Sequence, residues 1–270
     1  MKSMLTVLRE RNELLFQFGL ICLVLALACV ALIWFMRTQV LGVNAWYKPL
    51  KFFLSTAVFV WSMAWYTGYL TERSTVAWYS WGMVALFGIE LVYIVVQAAR
   101  GQQSHFNVGT PVTASFWVIM AVSAVGISIW TARVGLLFFR HDFPELPAAY
   151  VWGIRLGLVL FVLFSMQGLA MGGRMAHTVG SADGGPGLPV VNWSTQYGDL
   201  RIAHFLGMHA LQVVPLLAYY LLKDIWQVVL VSVLYGTVTL VIFIQALQGK
   251  PLLRFGSRLA DTAIGTAASQ

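Results

Sequence analysis

The chain has 270 residues, of which 59% are hydrophobic and only 10% carry a charged side chain, and its mean hydropathy is +0.77. Soluble globular domains usually contain about 25% charged residues. This composition therefore excludes a soluble globule and indicates a polytopic membrane protein. The net charge of +7 is spread over 17 scattered Lys and Arg, whereas a nucleic-acid-binding surface needs basic residues clustered on one face. We expect the lipid bilayer as a partner and no nucleic acid.

Seven long apolar runs follow one another, and we expect one polytopic domain that covers residues 1–270. A hydrocarbon core of about 30 Å requires about 20 helical residues at 1.5 Å per residue. The sequence therefore predicts an all-α integral membrane protein, a bundle of seven transmembrane helices with a long structured loop between helices five and six. The expected spans are residues 14–36, 49–70, 76–99, 111–139, 147–171, 200–222 and 225–247.

Local signals mark where several of these helices begin. Proline suits the first turn of a helix, because its missing N–H would have no partner there, and Pro49, Pro111 and Pro147 stand at predicted starts. Asp199 and Asp224 are predicted N-caps, since a capping oxygen accepts hydrogen bonds from the first free N–H groups. These signals place the starts of five of the seven spans.

The basic residues of the connections do not decide the orientation. Cytoplasmic loops of membrane proteins carry an excess of Lys and Arg. The face of the odd-numbered connections and the C-terminal tail carries nine of them, including Arg254 and Arg258, and the opposite face carries seven. We expect an integral protein of a bacterial-type inner membrane, with its orientation left open.

The connections that are rich in polar, aromatic and glycine residues all fall on one side of the predicted bundle. They are the first (VNAWYKPLKF), the third (ARGQQSHFNVGTP) and the fifth, residues 172–201. Irregular polar backbone at the mouth of a helical bundle often lines a cavity, and so long a loop is usually functional or disordered. Trp193 and Tyr197 argue against disorder. The sequence predicts a site at this mouth, with the alternative that the loops are polar only because they face water.

Lys48 and Lys51 lie at the same mouth, at the start of the second predicted helix. Long basic side chains at helix ends usually extend to the membrane–water interface, and we expect that role here. Binding of an anion or a lipid head group is the alternative.

Glu90 is the only acidic residue in the interior of a predicted span, and Tyr93 and Gln97 follow it on the same helix face. A charge at the centre of a transmembrane helix costs about 2.5–3.5 kcal/mol on insertion scales, which favours a functional interpretation. We therefore take Glu90, Tyr93 and Gln97 as the candidate catalytic group. The alternative is a protonated Glu90 that is hydrogen-bonded to Tyr or Gln. We expect Arg155, the one clear cation within a span, to reach its own interface rather than to pair with Glu90.

The sixth predicted helix carries two histidines, His204 and His209. They are five residues apart and differ by about 140° around the helix, so they do not chelate one ion as an i, i+4 pair does. Arg201, His204, Met208 and Gln212 form one stripe, and His209 points elsewhere. His204 is expected near the mouth and His209 deeper.

Two further histidines, His105 and His177, follow helices three and five at the same mouth. Imidazole binds iron, copper and zinc, and His or His/Met pairs hold haem. The alternative for each histidine is a role in hydrogen bonding alone. We expect haem, or copper, iron or zinc, as the cofactor. The expected metal ligands are His204, His209 and Met208, and the expected cofactor-binding residues are His105, His177, Arg201 and Gln212.

Three functions fit this pattern. The first, which we favour, is a haem- or metal-binding membrane oxidoreductase with a small-molecule or quinone-like substrate. The second is a transporter or channel for a small solute or protons that uses Glu90. Residues 81–89, which precede Glu90, are apolar and disfavour a polar path through the bundle. The third is a seven-helix receptor or a subunit of a membrane complex, including a homo-oligomer.

Overall fold

The computed structural model of the protein describes residues 2–253 and is mostly helical. Arg254 and Arg258, which were counted for the orientation, lie outside the described residues. Within residues 2–253 the helices are α1 (Met4–Arg11), α2 (Glu13–Phe35), α3 (Tyr47–Thr67), α4 (Arg73–Ala99), α5 (Pro111–Arg140), α6 (Ala148–Met166), α7 (Gly168–Arg174), α8 (Leu200–Tyr220) and α9 (Ile225–Leu247).

In the part of the chain that the structure describes, six helical stretches are long and apolar enough to cross a membrane. The predicted all-α membrane architecture is confirmed at this level, and the protein is a multi-pass integral membrane protein. The six are Glu13–Phe35, Arg73–Ala99, Pro111–Arg140, Ala148–Arg174, Leu200–Tyr220 and Ile225–Leu247.

The second predicted span corresponds to α3, which is 21 residues long but is not among those six. It is less apolar, because its first turns carry Lys48 and Lys51 and its body carries several Trp and Tyr side chains. The count of seven transmembrane helices therefore stays a prediction.

The helix starts follow the local signals closely. The side chain of Asp199 accepts a hydrogen bond from the N–H of Arg201, and Asp224 forms a capping box with Gln227. Both N-cap predictions are confirmed. Pro111 is the first residue of α5, as expected from its missing N–H.

The stretch between α6 and α8 contains local structure. The fifth predicted helix ends at Met166, and the short α7 follows it. Strand β3 (Thr178–Val179) then pairs antiparallel with β4 (Gly198–Asp199). A Cβ on Gly198 would lie 2.0 Å from the carbonyl oxygen of Ala246, so glycine at this position lets β4 rest directly against α9. A second small hairpin, β1 (Gln39–Val40) with β2 (Val43–Asn44), precedes α3.

Small residues bring α6 and α8 close together. A Cβ on Gly207 would lie 2.1 Å from the Cβ of Phe164, and one on Gly153 would lie 2.6 Å from that of Ala218. Such small residues let membrane helices approach closely. This tight pair forms one wall of the bundle, and α3, α4 and α5 form the rest of the enclosure described below.

Arg155 does not pair with Glu90. Its guanidinium donates hydrogen bonds to the carbonyl oxygens of Phe138 (2.8 Å) and His141 (3.1 Å) at the end of α5. The sequence favoured this interface for Arg155. The Glu90 carboxyl lies nearer the other end of the bundle.

Candidate functional site

A cavity of about 670 Å³ lies between α3, α4, α5, α6 and α8. The first, third and fifth connections contribute to its lining, so the three glycine-rich polar loops meet at one mouth. Small-molecule sites in proteins usually measure about 300–1,000 Å³. The cavity therefore has the size of a ligand site.

The cavity is deep, and its inner part is mostly apolar, with a few polar side chains in the wall. It reaches Gln212 on α8 and Ser128 on α5, which lie roughly 18 and 25 Å along their helices from the mouth at 1.5 Å per residue. Phe59 lies at the inner end, with ring centroids 5.4 Å from Phe87 and 5.1 Å from Phe161. Within residues 2–253, no residue of the connections at the opposite end lines the cavity.

Two lysines stand at the rim without a carboxylate partner among the described residues. The Lys48 ammonium lies 3.1 Å from Nδ1 of His105, and the Lys51 ammonium donates to the carbonyl oxygen of Val191 at 3.0 Å. Each ammonium has three N–H donors, so each keeps donors free. The neighbouring cation, Arg201, is neutralised by Asp199, with bonds of 2.9 and 2.6 Å. The Asp183 carboxylate, which also lines the cavity, offsets one of the two lysine charges, and the rim carries a net positive charge.

His177 and Asp183 organise the fifth connection above the cavity. The Asp183 carboxylate lies 2.6 Å from Nδ1 of His177 and accepts hydrogen bonds from the N–H groups of His177 and Thr178. Burial lowers the pKa of His177, so the neutral ring donates from Nδ1. Burial alone would raise the pKa of Asp183, but its bonds from His177 and Thr178 hold that pKa well below its usual range.

His105 lies among aromatic rings at the same mouth. Its ring centroid is 5.8 Å from that of Phe52 and 5.7 Å from that of Trp117. Burial, followed by the charge of Lys48, places the pKa of His105 well below its ordinary value. The neutral ring accepts the Lys48 hydrogen bond at Nδ1, and its proton is therefore on Nε2.

His204 and His209 both line the cavity, although they point in different directions from α8. Nδ1 of His204 donates to the carbonyl oxygen of Phe164 at 2.8 Å, and Nδ1 of His209 lies 3.1 Å from Oε1 of Gln212. Donation from Nδ1 leaves a lone pair on Nε2 of each ring. Met208 and Gln212 also line the cavity.

Glu90 faces the cavity, whereas Tyr93 and Gln97 do not line it. Only 6% of Glu90 is exposed, and within residues 2–253 its carboxyl has neither a hydrogen bond nor an ion pair. Tyr93 instead stacks on Phe116, with centroids 4.8 Å apart. Gln97 donates to the carbonyl oxygen of Gln103 at 3.1 Å. The sequence grouped these three residues on one face of α4. Tyr93 and Gln97 are rotated slightly from Glu90 around the helix axis, and this rotation is enough to keep them out of the cavity lining.

The histidines are not gathered into a metal cage. Among residues 2–253, no group of three or more His, Cys, Asp or Glu side chains is placed to hold a metal ion. The expected ligands His204, His209 and Met208 share one cavity wall, and the expected cofactor residues His105, His177, Arg201 and Gln212 also line the cavity.

The lysines are the residues whose role at this mouth the sequence misjudged. Lys48 and Lys51 extend into the cavity rim rather than outward to the membrane–water interface. Their three-residue spacing places both on one face of α3, and that face contributes to the cavity. This spacing was the available signal.

A comparison of the chain with protein-family models finds no match, and neither do comparisons with curated proteins or with solved structures.

Proposed function

We propose that this membrane protein binds an amphiphile with an anionic head group, which lies at Lys48 and Lys51, and an apolar body, which fills the inner cavity. The observation that carries the proposal is the pair of ammonium groups at the rim without a carboxylate partner in the described part of the chain. Basic pockets between membrane helices bind anionic lipid head groups. A carboxylate or a phosphate would accept hydrogen bonds from the free N–H groups of both lysines.

The inner cavity suits the remainder of such a ligand. Its walls include Phe59, Phe87 and Phe161, and burial of an apolar chain against these rings is favoured by the hydrophobic effect. The head group and the body would thus be recognised by different parts of one cavity. A membrane-soluble, quinone-like molecule with an acidic group falls within the same class.

Binding of three ligands with similar chains tests the proposal. We expect the purified protein to bind stearate and stearoyl lysophosphatidate, which distinguish a carboxylate from a phosphate, and to bind stearyl alcohol at least about tenfold more weakly. Lys48→Gln with Lys51→Gln should remove this preference, because hydrogen bonds to charged groups contribute about 1.5–3 kcal/mol each.

Lys223→Gln is the matched control, because this exposed lysine lies in the connection at the opposite end of the bundle. It should bind all three ligands as the unchanged protein does. Equal binding of stearate and stearyl alcohol, or unchanged binding by the double lysine variant, would contradict the proposal.

A second candidate is a haem- or metal-dependent redox function, with haem, copper, iron or zinc bound by one or two of His177, His204 and His209. No three of the described His, Cys, Asp and Glu side chains are placed around a single ion. The candidate is favoured by the hydrogen bond at Nδ1 of each ring, which leaves Nε2 free. Metal-binding histidines usually donate their other ring N–H to a carboxylate or a carbonyl. Among residues 2–253 these three do so toward Asp183, Phe164 and Gln212.

An absorption spectrum and elemental analysis of the purified protein test this candidate. We expect a Soret band or about one equivalent of Cu, Fe or Zn. His204→Ala should lower the bound amount severalfold, and His141→Ala, at the opposite end, should not. A protein with neither a Soret band nor stoichiometric metal rules the candidate out.

We further propose that α3 crosses the membrane as a seventh helix. Its support is that its ends lie at opposite ends of the neighbouring apolar helices, with Lys48 at the cavity mouth and Thr67 bonded to Asn12 at the other end. Labelling of the loops on its two sides tests this topology.

A further inference from the structure

The Glu90 carboxyl is a polar group in the cavity wall. Binding of a head group at Lys48 and Lys51 gives it no role. Glu90 is 6% exposed and lines the cavity. No described residue donates a hydrogen bond to it or forms an ion pair with it. An ionised carboxylate is costly in such surroundings, so the uncharged acid is favoured. An uncharged carboxyl both donates and accepts a hydrogen bond.

The depth of Glu90 sets its distance from the rim. It lies nine residues before Ala99, the last residue of α4, which places it about 13 Å below the mouth at 1.5 Å per residue. Lys48 is the second residue of α3, at the mouth. An extended chain anchored at Lys48 would pass Glu90 roughly ten to eleven carbon atoms from its head group, because the zigzag of C–C bonds of about 1.5 Å advances about 1.3 Å per carbon.

The surroundings of Glu90 along α4 are otherwise apolar on the cavity side. Phe87, Ile94 and Ala98 line the cavity with it. An apolar segment of ligand beside Glu90 would leave the carboxyl without a partner, and an unsatisfied buried polar group is unfavourable. A ligand oxygen at this depth would satisfy it.

We propose that the ligand carries an uncharged hydroxyl or carbonyl oxygen part of the way along its apolar body, and that Glu90 hydrogen-bonds to this oxygen. The ligand class is therefore an anionic amphiphile with a second, inner oxygen function. The inference rests on the proposed function for the position of the head group. Glu90 is the residue that distinguishes such a ligand from a plain fatty acid.

The test compares three carboxylates of the same chain length on the purified full chain: stearate, 2-hydroxystearate and 12-hydroxystearate. We expect 12-hydroxystearate to bind roughly threefold to tenfold more tightly than stearate, the range that one hydrogen bond supplies. 2-Hydroxystearate, whose hydroxyl lies beside the head group, should bind as stearate does.

Variants separate the two parts of the site. Glu90→Leu should remove the preference for 12-hydroxystearate and leave the affinity for stearate within about twofold. Glu90→Gln keeps a donor and an acceptor and should retain part of the preference. Tyr93→Phe is the matched control, since Tyr93 is on the same helix but does not line the cavity. It should retain the full preference.

The outcomes distinguish the inference from the proposed function. If stearate and 12-hydroxystearate bind equally to the unchanged protein, the role of Glu90 is overturned and the rim site stands. If Glu90→Leu keeps the preference, the inner oxygen is bound elsewhere and the inference fails. If no anionic ligand binds, the proposed function fails. The comparison on the unchanged protein requires no variant to fold.

Discussion

The carboxylate of Asp183 accepts several hydrogen bonds that stabilise the start of the fifth connection. It accepts hydrogen bonds from the backbone of His177 and Thr178 and bonds to the His177 ring. Hydrogen bonds to a charged acceptor are about twice as strong as neutral ones. This residue therefore keeps the Nδ1 atom of His177 occupied and its Nε2 atom available.

The stability of this segment should fall in acid. The pKa of His177 is lower in the folded segment than its ordinary value of about 6.5. As the pH drops below 6.5, the opened segment binds more protons, and the folded form loses stability. The pKa of Asp183 is also lowered. Its contribution is present above about pH 4 and is lost as the pH falls toward its folded value.

Hydrogen exchange of residues 176–184, corrected for the intrinsic rate at each pH, measures this effect. We expect constant protection above about pH 7 and falling protection from about pH 6.5 downward. Asp183→Asn should speed exchange about tenfold or more at pH 7, because a charge-assisted hydrogen bond is lost. Glu72→Gln, at the opposite end of the bundle, is the control. Protection that rises in acid would contradict the sign.

At the scale of elements, the contact of α3 with α8 closes the inner end of the cavity. Gln212 donates to Oγ of Ser62 at 3.0 Å, and the Tyr66 hydroxyl donates to the carbonyl oxygen of Leu211 at 2.8 Å. Hydrogen bonds between helices join neighbouring spans within a membrane. Helix α3 therefore has polar partners on both of its sides, since Trp61 donates to the carbonyl oxygen of Phe16 on α2 at 3.1 Å.

The position of α3 predicts the sidedness of the loops. If α3 crosses the membrane, Gln39→Cys, which precedes α3 and is exposed, and Gly185→Cys should be labelled by a membrane-impermeant thiol reagent from one side. Glu72→Cys and Lys223→Cys should be labelled from the other. The native Cys22 and Cys29 are buried in the described structure and should stay unlabelled. Labelling of positions 39 and 72, which flank α3, from the same side would show that α3 does not cross the membrane.

At the scale of the whole molecule, the sequence predicted where the site would lie better than how its side chains would be used. Apolar runs and helix-start signals placed most helices, and the alternation of sides then brought three polar loops to one mouth. The fine assignments depended on rotation of each helix about its axis. Tyr93 and Gln97 follow Glu90 on one face by spacing, but the packing of α4 turns that face so that only Glu90 meets the cavity.

The same limit applies to charge. Lysines at a helix start are usually solvated. Nothing in the sequence around Lys48 and Lys51 indicates that they form hydrogen bonds with His105 and Val191. Those contacts join positions 57 and 140 residues apart. Spacing along one helix does not encode such contacts, because they depend on how the loops fold over the mouth.

The closed inner end of the cavity also has an electrical consequence. Carrying one elementary charge across a whole membrane costs about 2.3 kcal/mol per 100 mV. A charged head group held at Lys48 and Lys51 stays at the rim, so its charge crosses little of the membrane potential. The apolar chain below it is uncharged and is not affected by that potential. A membrane that stores energy as an ion gradient can therefore contain this deep cavity without discharging the gradient through it.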